Sequence, residues 1–264
     1  MGAKKDKGYG IKVENGSPTI ILSDANISLN AGDQFSSAVN AIDIVAANST
    51  TTIRVEGTEN NITAKYGAGI FVTQGSKVEI TSSDQSNVLR VTGKGASSAI
   101  GGYASSFSSN GVNCGDISIN KVTLYATSNF NVSYGVISPA IGGSGNASCG
   151  TIEVNDATIY AYGVYRGETG NTPAIGLGQT NAGQTNNTIP TIKIIDSQMY
   201  AYRGGTYADY IGKPQTKVST SLNLGSDGSA KNSTIYCYTG TVATSVDKTV
   251  FYDINGTATE QAVE

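Results

Sequence analysis

The 264-residue chain contains no histidine and no tryptophan, only five prolines and three cysteines, and few charges, at 14% of residues. Without histidine there is no default general base, no commonest metal ligand, and no Ser-His or Cys-His nucleophile pair. A hydrolase of the ordinary triad kind is thereby excluded. Low charge and a net of −3 exclude charged disorder and speak against binding a phosphate backbone, which needs clustered Lys and Arg. Nucleic acid is not an expected partner. No window reaches the ~18 apolar residues of a membrane-spanning helix, and the basic start Lys4, Lys5, Lys7 leads into glycine rather than an apolar stretch. Residues 1–8 read as a flexible leader, or as what remains after a leader was removed. Residues 9–256 read as one domain and 257–264 as a flexible tail.

What the chain has in excess is glycine, 33 residues, and tyrosine, 15. It also repeats. Ala99-Ile100-Gly101-Gly102, Ala140-Ile141-Gly142-Gly143 and Ala174-Ile175-Gly176 are versions of one tetrad. Ala41-Ile42-Asp43 and Gly69-Ile70-Phe71 precede them and Tyr210-Ile211-Gly212 follows. The isoleucines at 42, 70, 100, 141, 175 and 211 are spaced by 28, 30, 41, 34 and 36 residues. So loose a period implies a constant frame with loops of variable length.

After each tetrad and its Gly/Ser/Asn-rich loop come two short alternating runs. Asp116-Ile117-Ser118-Ile119-Asn120 is followed by Val122-Thr123-Leu124-Tyr125-Ala126, and Thr151-Ile152-Glu153-Val154-Asn155 by Ala157-Thr158-Ile159-Tyr160-Ala161. Thr191 to Ile194 pairs in the same way with Ser197 to Ala201, while Thr19 to Leu29 reads as a partial first copy and Ser233 to Cys237 closes the series. Period-two alternation with β-branched residues on one side is the strand signal, and no ten-residue helical stripe is present. An antiparallel sandwich also has short strands, but it does not put like residues at matching positions of successive ~30-residue units. A solenoid does, because each turn stacks on the last at about 4.8 Å. The sequence therefore predicts an all-β chain, a right-handed parallel β-helix of six to eight turns with three short strands per turn. The paired glycines 101–102 and 142–143 read as bends.

The tetrad, with Cys149-Gly150-Thr151-Ile152-Glu153-Val154-Asn155-Asp156-Ala157-Thr158-Ile159-Tyr160-Ala161, resembles the repeat of bacterial secreted and cell-surface β-helix proteins. Their pattern runs approximately Ala-Gly-Ile-Gly-Gly, then Cys-Gly-Thr-Ile-Thr-Ile-Asn-Gly-Gly-Thr-Val-Thr-Ala. The similarity covers roughly residues 36 to 202. It implies a β-helix outside the cell, adhesin-like, in contact with glycans or surfaces, and it carries over no catalytic residue. This chain departs from the pattern by placing tyrosine where the relatives usually have threonine.

Parity puts Ile159 and Ala161 inside, so Tyr160 and Tyr162 point outward. The same parity gives Tyr125, Tyr200, Tyr202, Tyr236 and Tyr238, two columns on one face of four successive turns. A row of phenol rings suits the apolar faces of sugars, with Arg166 and Arg203 donating hydrogen bonds at its edge. The alternative is that the rings stabilise the solenoid by stacking on one another.

Cys114 and Cys149 fall at one repeat position, 35 residues apart, and are either a disulfide or a pair of stacked thiols. Cys237 occupies the slot of Ala126, Ala161 and Ala201 and reads as a small core residue. Outward Asp116 and Glu153, with Asp156 and Asp196 at a corner, raise a Ca²⁺-assisted polysaccharide lyase, a chemistry that does without histidine. Corner carboxylates more often bond the turn backbone, and no metal or other cofactor is expected. Three functions thus compete: adhesion to a polysaccharide or a host or cell-surface glycan through the tyrosines, an inert stalk in a larger surface protein, and a lyase-like enzyme.

Overall fold

In the computed structural model, residues 10–30, 38–95, 97–103, 111–129, 138–145, 147–164, 172–178, 188–215, 217–240 and 245–262 are described. They form a right-handed parallel β-helix of seven turns, with three sheets wrapped around one core. The first sheet stacks β1 (Ile11–Val13), β4 (Ile42–Ile44), β7 (Ile70–Val72), β10 (Ile100–Gly101), β13 (Ile141–Gly143), β16 (Ile175–Leu177) and β19 (Ile211–Gly212). The second stacks β2 (Thr19–Ser23), β5 (Thr50–Glu56), β8 (Lys77–Ser82), β11 (Asp116–Asn120), β14 (Ile152–Asn155), β17 (Ile192–Ile195) and β20 (Ser229–Lys231). The third holds β3 (Asn26–Leu29), β6 (Asn60–Ala64), β9 (Val88–Lys94), β12 (Thr123–Asn129), β15 (Thr158–Tyr162), β18 (Gln198–Arg203) and β21 (Ser233–Thr239).

The register is set by like side chains stacking. Ile11, Ile42, Ile70, Ile100, Ile141, Ile175 and Ile211 are successive partners in the first sheet. Inside the third sheet Leu124, Ile159, Met199 and Ile235 form one inward column and Ala126, Ala161, Ala201 and Cys237 another, all fully buried. Cys237 is therefore a core residue, and burial pushes its thiol up to about 12, far from a nucleophile's range. A one-residue slip would turn every isoleucine outward, so burial of the inner face fixes the pairing.

The corner between the second and third sheets is made by residues with left-handed backbone angles. Asp24, Lys121, Asp156, Asp196 and Asn232 occupy it with φ between 44° and 55°. Asp and Asn tolerate this region because their short side chains bond locally.

The tetrad glycines are not bends. Gly101, Gly142, Gly176 and Gly212 lie in the strands of the first sheet with φ of 123–133°. They continue a column that starts with Lys12, Asp43 and Phe71. A Cβ on Gly101 would stand 2.3 Å from the Gly142 carbonyl oxygen, and one on Gly142 or Gly176 would stand 2.0 Å from the next glycine's oxygen. In the last four turns, therefore, each glycine carbonyl demands glycine of the turn beneath it, at 101, 142 and 176.

The C-terminal end departs from the repeat. Two antiparallel strands, β22 (Lys248–Tyr252) and β23 (Ala258–Ala262), extend the third sheet past β21. The segment from 257 onward, expected as a flexible tail, instead supplies a paired strand. Residues 1–8, expected as a leader, lie outside the described residues.

Candidate functional site

The structure brings the seven tyrosines named from parity into the two expected columns. Tyr125, Tyr160, Tyr200 and Tyr236 are register partners, as are Tyr162, Tyr202 and Tyr238. The second column begins at Tyr162 because the turn below carries Thr127 at that position. Six of the seven rings are half-buried, and Tyr238 is buried at 8% exposure.

The rings stack on one another, as the alternative reading of the sequence has it. In the first column, centroid separations are 4.5, 4.4 and 4.7 Å with interplanar angles of 4°, 8° and 14°. In the second column they are 4.4 and 4.2 Å, at 22° and 10°. The ring faces therefore lie on one another along the solenoid axis, and what meets solvent is a double row of phenol edges. The sugar-stacking platform expected from the sequence does not form, because β-strand spacing makes each ring the natural cover for its neighbour. The Arg90 guanidinium closes the first column, 4.0 Å from the Tyr125 centroid, and is itself held by Glu59 at 3.0 Å. Neither residue drew notice in the sequence, although Arg90 sits at the tyrosine position one turn earlier.

Stacking also changes the acidity of the phenols. Desolvation and then the neighbouring tyrosines push Tyr160 up to about 12, and desolvation with the Tyr202 neighbour does the same for Tyr238. Tyr162, Tyr200 and Tyr202 are raised for the same first reason. A phenol whose folded value exceeds its unfolded value near 10 stabilises the fold fully below pH 10. That contribution is lost as pH rises from about 10 to about 12, because the unfolded chain ionises first. Urea midpoints measured from pH 8 to pH 12 should hold constant up to about 10 and then fall. The 295 nm titration of the folded protein should lag that of the unfolded chain. Coincident titrations would contradict the stacking.

The two arginines assigned to the edge of the strip fare differently. Arg166 lies outside the described residues. Arg203 is 3% exposed and points inward, in parity with Met199 and Ala201, so it does not reach a ligand on the tyrosine face. Its guanidinium donates to Thr239 Oγ1 and the Ala208 carbonyl, each at 2.8 Å, and to the Ser219 carbonyl, and lies 4.0 Å from the Tyr210 centroid. A cation at an inward position is tolerated because the last turn supplies acceptors there instead of aliphatic side chains.

Cys114 and Cys149 are joined by a disulfide with a Cα–Cα distance of 4.6 Å. Both cysteines precede their strands, and their backbones are bonded as parallel neighbours, Cys114 N donating to the Ser148 carbonyl at 3.0 Å and Gly150 N to the Cys114 carbonyl at 3.2 Å. The disulfide itself decides between bond and stacked thiols. By loop-closure entropy a 35-residue loop is worth up to about 4 kcal/mol. Cys149→Ser should lower the denaturation free energy by about 2–4 kcal/mol, read against an unreduced control, and equal midpoints would show the bond to be idle.

The outward carboxylates do not gather. Asp116 accepts from Thr151 N at 2.7 Å and Glu153 pairs with Lys193 at 3.0 Å. Asp156 accepts from Gln85 at 2.8 Å and Asp196 from Asn232 at 2.7 Å. Among the described residues no group of three or more Asp, Glu, Cys or His stands together as a metal site would require. Each acid named for lyase chemistry is thus engaged by a protein partner.

No family model, curated protein or solved structure matches the chain.

Proposed function

We propose that the chain is an extracellular β-helix module, related to bacterial surface β-helix repeats, that binds a polysaccharide or cell-surface glycan along the tyrosine strip. The observation that carries this reading is the contiguity of the strip: two adjacent columns of half-buried phenols spanning four turns. Scattered exposed aromatics need no explanation, whereas a contiguous strip does. The stacked rings turn their hydroxyl-bearing edges outward, so contact with sugar rests on a periodic row of phenol hydroxyls rather than on ring faces. Phenol hydroxyls both donate and accept, as sugar hydroxyls do, and the rung repeat fixes their spacing without cost in side-chain entropy. The disulfide fits an oxidising compartment, as extracellular placement provides.

The same stacking favours a second reading, a stiff stalk whose tyrosines serve only one another. Tyrosine-to-phenylalanine substitution separates the two, since it keeps the stack and removes the hydroxyls. The variant with Tyr160, Tyr162, Tyr200 and Tyr202 all changed to Phe should keep its unfolding free energy within about 1 kcal/mol of the parent's. It should also lose retention on those insoluble polysaccharides among cellulose, chitin and granular starch that hold the parent protein. Retention equal to the parent's, or no retention of the parent on any of them, favours the stalk.

A further inference from the structure

A shallow cleft lies one corner away from the tyrosine strip, on the outer face of the second sheet. The outward side chains of three successive strands line it: Ser118 and Asn120 from β11, Glu153 and Asn155 from β14, Lys193 and Ile195 from β17. The cleft has a volume of about 440 Å³, within the range of sites for small organic ligands. Its polar groups are ordered by the rungs. Asn155 Nδ2 donates to Asn120 Oδ1 at 3.3 Å, and Lys193 Nζ donates to Glu153 Oε1 at 3.0 Å. Beyond these two bonds the second carboxylate oxygen, further ammonium hydrogens, the Asn155 side-chain carbonyl and the Asn120 amide hydrogens keep hydrogen-bonding capacity.

The chemistry of the lining selects the ligand. Lys193 and Glu153 neutralise each other, so neither an anion nor a cation finds an uncompensated charge. The three strands are interior to their sheet, with ladder partners on both sides, so no free edge exists on which a peptide can add as a strand. What remains is a dense set of neutral and internally balanced donors and acceptors beside one aliphatic wall, Ile195. That set suits a molecule carrying many hydroxyls and an apolar CH face. The geometry points to this cleft as a binding subsite for one or two units of a neutral carbohydrate, separate from the tyrosine strip and independent of it.

The test is amide-resonance mapping of the intact protein titrated with cellotetraose, maltotetraose and chitotetraose, and with tetragalacturonate as the charged comparison. Shifts are expected at residues 118–120, 153–155 and 193–195 with at least one neutral tetramer. They should weaken by about tenfold in apparent affinity when Asn120→Ala and Asn155→Ala are combined, the equivalent of losing one or two hydrogen bonds. The asparagines are exposed, and if the double variant does not fold, the shift map of the parent protein decides alone. Absence of shifts at these residues with every neutral tetramer overturns the assignment, as does preference for tetragalacturonate. Shifts confined to residues 160–162 and 200–202 overturn it while upholding the tyrosine strip. Shifts confined to the cleft uphold it while removing the strip as the glycan contact.

Discussion

Gly142→Ala should destabilise the chain by about 4 kcal/mol or more, one of the largest effects of a single added methyl group anywhere in the solenoid. Two costs combine. At φ of 131° an alanine is held in a region that side chains rarely adopt. Its Cβ would also stand 2.0 Å from the Gly176 carbonyl oxygen, an atom of the ladder that cannot move without breaking the next rung. Gly16→Ala is the matched control. Its φ is 75°, but nothing lies within 4 Å of the added carbon, so only the backbone penalty of about 1–2 kcal/mol applies. Denaturant midpoints of the two variants should differ by the difference in these costs, with Gly142→Ala the lower and its soluble yield reduced. Equal midpoints would mean that the first sheet shifts to admit a side chain, and the glycine column would lose its explanation. Gly176 makes the same approach to Gly212 and should behave alike.

That column shows both the reach and the limit of reading a solenoid from its sequence. The isoleucines, the inward alanines and the tyrosine columns were legible because stacking places equivalent residues in contact, and a repeated residue type is the direct trace of that contact. The glycines repeated just as plainly, yet their role was misread. A repeat shows that a position is constrained, not whether the constraint is a turn or a carbonyl one rung away. Parity likewise told which side Tyr160 takes but not the plane of its ring, which is set by a second tyrosine far along the chain. Arg203, expected to donate hydrogen bonds at the edge of the strip, alternates with Met199 and Ala201 and so takes the inward side. Asn120 and Asn155 carry a signal too, each closing the first run of its repeat on the outward parity, and their register brings them side by side in one cleft. The β22–β23 pair left no trace at all, since it belongs to no repeat.

Arg203→Met should cost about 3–5 kcal/mol and should do so locally, at the C-terminal end. Methionine keeps much of the aliphatic stem but withdraws the donors that satisfy the carbonyls of Ala208 and Ser219 and the hydroxyl of Thr239. Ala208 is buried and Ser219 and Thr239 are half-buried, and each acceptor left unpaired and away from water costs about 1–3 kcal/mol. Around the guanidinium the rest of the network also loosens. Asp247 accepts from Tyr210 Oη at 2.8 Å and from Thr239 Oγ1 at 2.6 Å. Burial first, and then the bond to Asp247, hold the Tyr210 phenol well above its ordinary value. Buried Asp209 fastens the loop beside it, accepting from Ser219 Oγ at 2.7 Å and Gln215 Nε2 at 3.0 Å. Because a solenoid couples each turn mainly to its neighbours, the loss should not spread evenly. Hydrogen exchange should accelerate in residues 203–262 while strands β4 to β12 keep their protection, and a denaturation curve should gain an early phase. Uniform acceleration along the chain would show that the last turn and its antiparallel strands are not a separable cap. An Arg203→Lys variant should recover little, because a single ammonium cannot reach the divergent acceptors that the planar guanidinium spans while lying on the Tyr210 ring.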